Sequence, residues 1–377
     1  MAISVPNHIS RFLEVVRPEI RKLPRYNSGL SVEYVRAHYG VQEIAKLGSN
    51  ENPYGPSPKV RKALEQAIPS VALYPEPSCD PLRSVLAHRL GVAPQRLVFG
   101  NGSEDLIAVI AHTFLSPHDL VVTFAPSFGL HVIWPQSVGA RVRAVPVDER
   151  YNMNIDEVLT ALTPDTRMLM FGNPSNPVGT SIGTVDLRRI LAHLMPETLL
   201  VFDEAYLEYA SADPTYPDFL AVLNECDLPW IMLRTLSKAY GLAGLRVGYG
   251  IASSPELIDL MDRVRAPFNV NRLAQVAAIA ALDDMDYVKD VVARTIAQRE
   301  RMRQTFDQMG FLCAPSLTNF LFVHALENAG ELAERLLARG VIVKPWQEPG
   351  FTDHVRVSVG TPRQNDQLLS AWASVAH

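Results

Sequence analysis

This sequence predicts an α/β fold: a large domain built on a mostly parallel sheet flanked by helices, with a smaller α+β domain behind it. Three observations carry that prediction. Short apolar, β-branched runs alternate with helical patterns through the middle of the chain. Several of those runs are apolar almost throughout, as strands covered by helices on both faces have to be. After about Pro267 the texture changes to a long helical stretch followed by short strands.

The elements follow in chain order. Residues 1–47 contain Pro6, Pro18 and Pro24, with Pro53 soon after, and few strand signals, so they read as an arm or lid that packs with the smaller domain. Residues 48–268 read as the large domain. There RLVFG (96–100) ends in the turn-like NGSED, and DLIAVIAHTFL follows as a helix. LVVTFAP (120–126), ARVRAVPV (140–147), RMLMFGNP (167–174), TLLVFDEAY (198–206), WIMLRTL (230–236) and LRVGYGIA (245–252) are the further strand candidates. Residues 269–377 read as the small domain. A helical stretch from Val270 to Met309 leads to strands at 319–325, 340–346 and 354–361, with ELAERLLARG as a helix among them. There are no internal repeats and no low-complexity tracts.

Length and composition narrow the function classes. A chain of 377 residues holds about two domains, and 47% hydrophobic with 20% charged residues is ordinary for a soluble globular protein. With 35 Lys+Arg against 40 Asp+Glu the formal net charge is −5, and no long basic run occurs. Nucleic acid and an anionic membrane are therefore not the expected partners. Cys79, Cys226 and Cys313 are scattered, with no CxxC and no metal-ligand spacing, which fits a reducing, cytoplasmic setting and no bound metal. The first residues lack the continuous apolar core of a signal peptide, and nowhere do about twenty apolar residues run uninterrupted.

The chemistry is written at the strand ends. In TLSKAYGLAGLRVGYG, Lys238 follows a serine among small and apolar residues, and Arg246 stands eight positions on. Such a lysine either lays its stem over apolar surface and reaches solvent, or has a lowered pKa and serves as an amine nucleophile for a carbonyl. Asp203 in VFDEAY directly follows an apolar strand, where a carboxylate needs a partner or caps the next segment. Three residues on, Tyr206 can offer a hydroxyl to a ligand. Asn176 lies in GNPSNPVG, a composition that by itself means a turn, although this turn follows a strand. GNGSED, with Gly102, Ser103 and Glu104, opens a helix after a strand: a capped helix start, and equally a phosphate site made of backbone N–H groups. Ser237 and Arg246 can add a hydroxyl and a two-donor fork. Phe128 in APSFGLH offers either a core ring or a face to stack on a flat ligand. In open α/β sheets ligands bind beyond the carboxyl ends of the strands, which is where these residues fall. Together they supply what pyridoxal phosphate demands: an amine for its aldehyde, an acid for its ring nitrogen, and donors for its phenolic oxygen and phosphate.

The same residues carry a family resemblance. KLGSNENPYGPSP (46–58), LYPEPS (73–78), GNGSEDLI, APSFGLH, NPSNPVGT, VFDEAYLEY, RTLSKAYGLAGLRVGY, TNFLF and VRVSVGT run through nearly the whole chain. In that order they resemble the fold-type I pyridoxal-phosphate aminotransferases, most closely the histidinol-phosphate group. The resemblance implies pyridoxal 5'-phosphate as cofactor and transamination between an amino donor, L-histidinol phosphate, and the acceptor 2-oxoglutarate. It implies Lys238 as the amine that joins the aldehyde and then shuttles a proton, Asp203 opposite the ring nitrogen, and Asn176 and Tyr206 on the phenolic oxygen. Gly102, Ser103, Glu104, Ser237 and Arg246 would hold the phosphate, and Phe128 would stack on the ring. Tyr74 would reach the phosphate from a neighbouring subunit, which implies a homodimer with shared active sites. Tyr26 and Asn52 would stand at the substrate entrance, and Arg356 would anchor the substrate's anionic group.

One departure stands out. Where the histidinol-phosphate group usually carries a second arginine for the substrate phosphate, GVIVKPW has Lys344, which keeps the charge and loses the fork. An aromatic amino acid aminotransferase is thus the alternative within the fold, and a phosphothreonine-type decarboxylase a further one. A cofactor-binding regulator would need an attached DNA-binding domain, and the proline-broken arm does not read as one. A nicotinamide dehydrogenase would need GxGxxG, which GLAGLRVG is not.

Overall fold

The computed structural model of the protein describes residues 7–376; Pro6 and the rest of the first six residues of the expected arm lie outside them. Seven strands form the central sheet, in the spatial order Leu97–Gly100, Gly248–Ala252, Trp230–Thr235, Leu199–Asp203, Thr166–Gly172, Leu120–Ala125 and Arg141–Pro146. All run parallel except Gly248–Ala252, which is antiparallel to both its neighbours. The strands Leu199–Asp203 and Trp230–Thr235 are buried at every residue, which is why they read as unbroken apolar runs.

Alternation along each strand feeds two apolar layers. Phe99, Val122, Phe171, Phe202 and Met232 face one layer of helices, while Val98, Val121, Met170, Val201 and Ile231 face the other. Strand and helix packing leaves almost no room where Gly248 passes the start of helix Ser103–Phe114: a Cβ there would sit 2.4 Å from the Ser103 nitrogen. Glycine at 248 is what brings that helix start down onto the sheet.

The helical stretch expected from 270 to 309 is two helices, Arg272–Leu282 and Met285–Gln308, broken at Asp283–Asp284. Ala274, Ala277 and Ala278 of the first pack into the large core, although they lie beyond residue 268. The second helix begins against that core at Val288 and Val292 and ends in a separate one at Met302 and Phe306. It is the beam that joins the two units. The smaller unit holds a three-stranded antiparallel sheet of Lys344–Pro345, His354–Ser358 and Phe320–His324, in which Lys344 lies opposite Arg356.

The arm carries helices Asn7–Val15, Pro18–Lys22 and Val32–Tyr39. It then pairs Ala45–Lys46 in parallel with Val341–Ile342 of the smaller unit, placing Ala45 and Leu47 in that unit's core. Among the described residues no helix is long and apolar enough to cross a membrane.

Candidate active site

A cavity of about 370 Å³ opens at the carboxyl ends of the central strands. Its floor comes from four strand ends: Gly172, Asp203, Thr235 with Ser237 and Lys238, and, across the sheet, Ser103. Glu104, Phe128, Asn176, Tyr206 and Arg246 complete it from the loops that follow. Nine residues singled out in the sequence thus line one space, though up to 143 positions separate them (103 to 246).

Lys238 stands at the centre. Burial, reinforced by the positive charges of Arg356 and Arg246, brings its amine down to about 8, while Glu51 and Asp203 pull the other way. About a tenth is therefore uncharged at pH 7, far more than for an ordinary lysine, and able to act as a nucleophile. Its Nζ lies 5.9 Å from the Tyr206 ring centroid. The Tyr206 hydroxyl accepts a hydrogen bond from Asn50 Nδ2 at 2.9 Å, and burial pushes its pKa up to about 12, so it stays a phenol that can donate.

Asp203 is 6% exposed. One carboxylate oxygen accepts from the Ala205 amide at 3.0 Å, and the other lies 3.2 Å from His131 Nε2. His131 is itself buried and stands edge-on to Phe128, with ring centroids 5.5 Å apart at 88°. The carboxylate is thus oriented by an imidazole and a backbone amide, with no cationic side chain of Lys or Arg among its hydrogen-bond partners. A cationic ring nitrogen would supply a positive partner.

Directly beneath, Glu204 is fully buried and accepts two hydrogen bonds from Arg234, at 2.7 and 2.9 Å, on a single oxygen. That pair fixes the strand ends on which Asp203 and Lys238 sit.

The far side of the floor has the form of an anion cradle. Gly102 has φ +84°, and a Cβ there would lie 2.5 Å from Arg246 Nη2, so only glycine lets the guanidinium lie against the helix start. Arg246 adopts φ 60° and donates to the Ala243 and Asn101 carbonyls, with Glu104 at 3.6 Å. Ser237 is held by Thr235, whose hydroxyl lies 3.0 Å from the serine's.

The remaining expected residues are placed differently. Arg356 is buried and spans to the cavity through Asn176 Oδ1 and the Gly48 carbonyl, each at 2.7 Å, and its Nε is buried without a partner among the described residues. Tyr26 is 46% exposed and meets Phe128 edge-on with centroids 6.1 Å apart. Asn52 does not line the cavity: its amide donates to the Ala239 carbonyl at 2.8 Å and so ties the 48–56 loop to the residue after Lys238. Lys344 is also outside it, with its amine on the Asn27 carbonyl and its pKa brought down to about 8 by burial and by Arg356. Tyr74 lies on the outer surface, 77% exposed and stacked on Phe268.

Sequence reading did not single out His131, Asn50, Glu51 or Ser358. His131 lies inside the quoted APSFGLH, three residues after Phe128, and its backbone amide closes a turn on the Phe128 carbonyl at 2.8 Å. Asn50 is held in the left-handed region at φ 55°, with its amide donating to Ser358 Oγ at 2.8 Å, and no local signal marks it.

Among the described residues no group of three or more His, Cys, Asp or Glu could hold a metal. The site does fit a flat group bearing a phosphate, an aldehyde and a basic ring nitrogen. The glycine-lined cradle, the underpaired Asp203 and the lowered amine of Lys238 each answer one of those features.

Fold and site together define an enzyme of amino-group transfer, and the chain belongs to the family described as aminotransferase class I and II, which matches residues 42–371. More particularly, it is similar to the histidinol-phosphate aminotransferases. It is 47% identical to histidinol-phosphate aminotransferase 1 of Mesorhizobium japonicum, over 97% of this chain and 100% of that one. It is also 47% identical to histidinol-phosphate aminotransferase 3 of Rhizobium meliloti, over 96% and 97%. The crystal structure of histidinol-phosphate aminotransferase from Sinorhizobium meliloti in complex with pyridoxal-5'-phosphate superposes with a TM-score of 0.86 at 29% identity, covering 96% of this chain and 98% of that one.

Proposed function

We propose that this protein uses pyridoxal 5'-phosphate to move the amino group of L-histidinol phosphate to 2-oxoglutarate, giving imidazole acetol phosphate and L-glutamate in histidine biosynthesis. The observation that carries the reading is similarity at 47% identity over 97% of the chain to a relative of that name, joined to a cavity whose residues meet the cofactor's demands.

Bound there, the cofactor supplies an aldehyde for the amine and an electron-accepting ring. The chain supplies the rest. Lys238 would offer an uncharged amine for the aldehyde, and its Nζ would be the base that takes and returns the substrate proton. Asp203, steadied by His131 and the Ala205 amide, keeps the ring nitrogen charged. Tyr206 and Asn176 hold the phenolic oxygen, and Gly102, Ser103, Glu104, Ser237 and Arg246 enclose the phosphate. Arg356 presents a guanidinium to the substrate's anionic group, with Lys344 opposite it in the sheet. Tyr26 borders the entrance, and Asn52 braces the loop that carries Lys238.

The protein acts as a cytoplasmic homodimer in this reading. Tyr74 and Phe268 form an exposed stacked pair beside Val71 and Leu73, an apolar surface suited to a second copy whose Tyr74 reaches the first copy's phosphate. Sedimentation then gives twice the chain mass.

A second reading, an aromatic amino acid aminotransferase, is favoured by one feature: Lys344 is engaged by the Asn27 carbonyl, leaving Arg356 to grip a carboxylate alone. A half-reaction separates the two. Cofactor-loaded protein is mixed with one donor and no acceptor, and the cofactor–lysine absorption band is followed. Fast loss with L-histidinol phosphate and slow loss with phenylalanine or tyrosine supports the first reading; the reverse order supports the second.

A further inference from the structure

Arg356 sits between two aromatic rings, its guanidinium carbon 5.6 Å from the Phe320 centroid and 6.0 Å from that of Trp346. Phe320 lies within its own strand and is fully buried. Trp346 lies just past the strand Lys344–Pro345; its backbone amide donates to the His354 carbonyl at 2.9 Å and its ring meets Phe322 edge-on, which leaves the indole N–H to be held. Glu348 holds it. One oxygen of its carboxylate, Oε2, accepts a hydrogen bond from the indole Nε1 of Trp346 and a second, at 3.1 Å, from the backbone amide of Ser127. Ser127 belongs to the large unit and is followed directly by Phe128, whose ring lines the cavity. A single carboxylate thus joins the wall of the Arg356 slot in the smaller unit to the segment that carries Phe128 in the larger one.

We propose that Glu348 is a positioning residue: by holding Trp346 and the Ser127–Phe128 segment together it sets the arginine that receives the substrate's anionic group against the cavity. The role rests on the proposed transaminase reading, in which Arg356 receives that group. It touches neither substrate nor cofactor. The bond needs a double acceptor rather than a charge. A glutamine oxygen has two lone pairs and can take both donors, whereas alanine leaves the indole N–H and a backbone N–H without a partner. Burial also holds the Glu348 carboxyl above the usual carboxylate range, so its charge is the less constant feature and its oxygen the constant one.

The test is the apparent affinity for 2-oxoglutarate in the acceptor half-reaction, with the protein loaded with the amino form of the cofactor, alongside kcat and KM and a thermal melt. Glu348→Ala is expected to weaken 2-oxoglutarate binding and raise KM by about tenfold, the scale of one lost hydrogen bond to a charged acceptor, with kcat changed by less than about threefold. Glu348→Gln is expected to stay within about threefold of wild type in binding. Trp346→Phe, which keeps a ring and removes the N–H, is expected to weaken binding severalfold and to add less than its own effect on top of Glu348→Ala, because the two share one contact. Equal binding by Glu348→Ala and wild type overturns the role, as does a fall in melting temperature with KM unmoved. Should Glu348→Ala fail to fold, Trp346→Phe carries the same comparison. If wild type loaded with the amino form of the cofactor shows no reaction with 2-oxoglutarate, the transaminase reading falls and takes this role with it; if wild type reacts and Glu348→Ala shows equal affinity, only the positioning role falls.

Discussion

The floor and the mouth of this site are built in different ways. Asp203 and Lys238 stand at or just past the ends of adjacent, fully buried parallel strands, and the buried Glu204–Arg234 pair locks those ends together. The mouth is an assembly of parts: Arg356 from the smaller sheet, Asn176 and Gly48 from two loops, Tyr26 and Asn27 from the arm. No segment of the mouth would hold its geometry without the others. The floor is preorganised by the sheet, and the mouth is preorganised only by long-range contacts. Damage to the floor should therefore appear in the chemical step and in cofactor retention, and damage to the mouth in substrate affinity.

Asp203→Asn is the strongest way to break that division. The amide keeps the size and can keep contact with His131, but it cannot hold a proton on the ring nitrogen by charge. The expected loss in kcat is on the order of 10²–10³-fold, the usual cost of removing one preorganised electrostatic partner, with KM nearly unchanged. Single-turnover rates of the donor half-reaction measure it. A comparable rise in KM with kcat preserved would show that the floor is not what sets the chemistry.

Arg356→Ala sharpens the other half. The guanidinium is buried, donates to Asn176 and Gly48, and has one nitrogen without a partner among the described residues, so a substrate anion can still be received there. Removing it should raise donor KM about 10- to 100-fold, as expected for a lost charge-assisted hydrogen bond, and lower kcat less. Part of any fall in kcat would come through Asn176, whose side-chain oxygen loses its donor. Steady-state kinetics with the half-reaction donor checks the split.

The same division decides what the sequence could reveal. Most of the central strands were legible because burial on both faces makes them largely apolar, the exposed edge strand Arg141–Pro146 excepted, and their ends pointed to Asp203 and Lys238. Even so, the antiparallel sense of Gly248–Ala252 left no mark, since a buried strand has the same composition in either direction. The break at Asp283–Asp284 was hidden because the residues on both sides keep helical spacing. Asn50 and Ser358 lie in quoted motif segments, but their pairing was hidden for a different reason: 308 positions separate them, and nothing local records their hydrogen bond. Asn52 could be seen as a motif residue, yet its contact with the Ala239 carbonyl makes it a brace for the lysine loop, a distinction only coordinates draw.

Lys344 offers the finest test, because it asks whether the mouth depends on charge alone. Its amine is brought down to about 8, so it is charged below that pH and progressively neutral above it. An arginine in its place stays charged throughout. If Lys344 contributes to holding an anionic donor, kcat/KM for that donor should fall as pH rises through about 8, and by no more than about tenfold, the worth of one exposed-to-half-buried charge contact. Lys238 also lies near 8, but its uncharged form is the active one, so its titration raises activity over the range in which that of Lys344 lowers it. Lys344→Arg separates them: the alkaline fall in kcat/KM should flatten, while any pH dependence of cofactor capture by the apoprotein, which follows the Lys238 amine, should stay where it was. An unchanged alkaline fall in the variant would leave Lys344 as a tether for the arm through the Asn27 carbonyl, with Arg356 the sole anion anchor of the mouth.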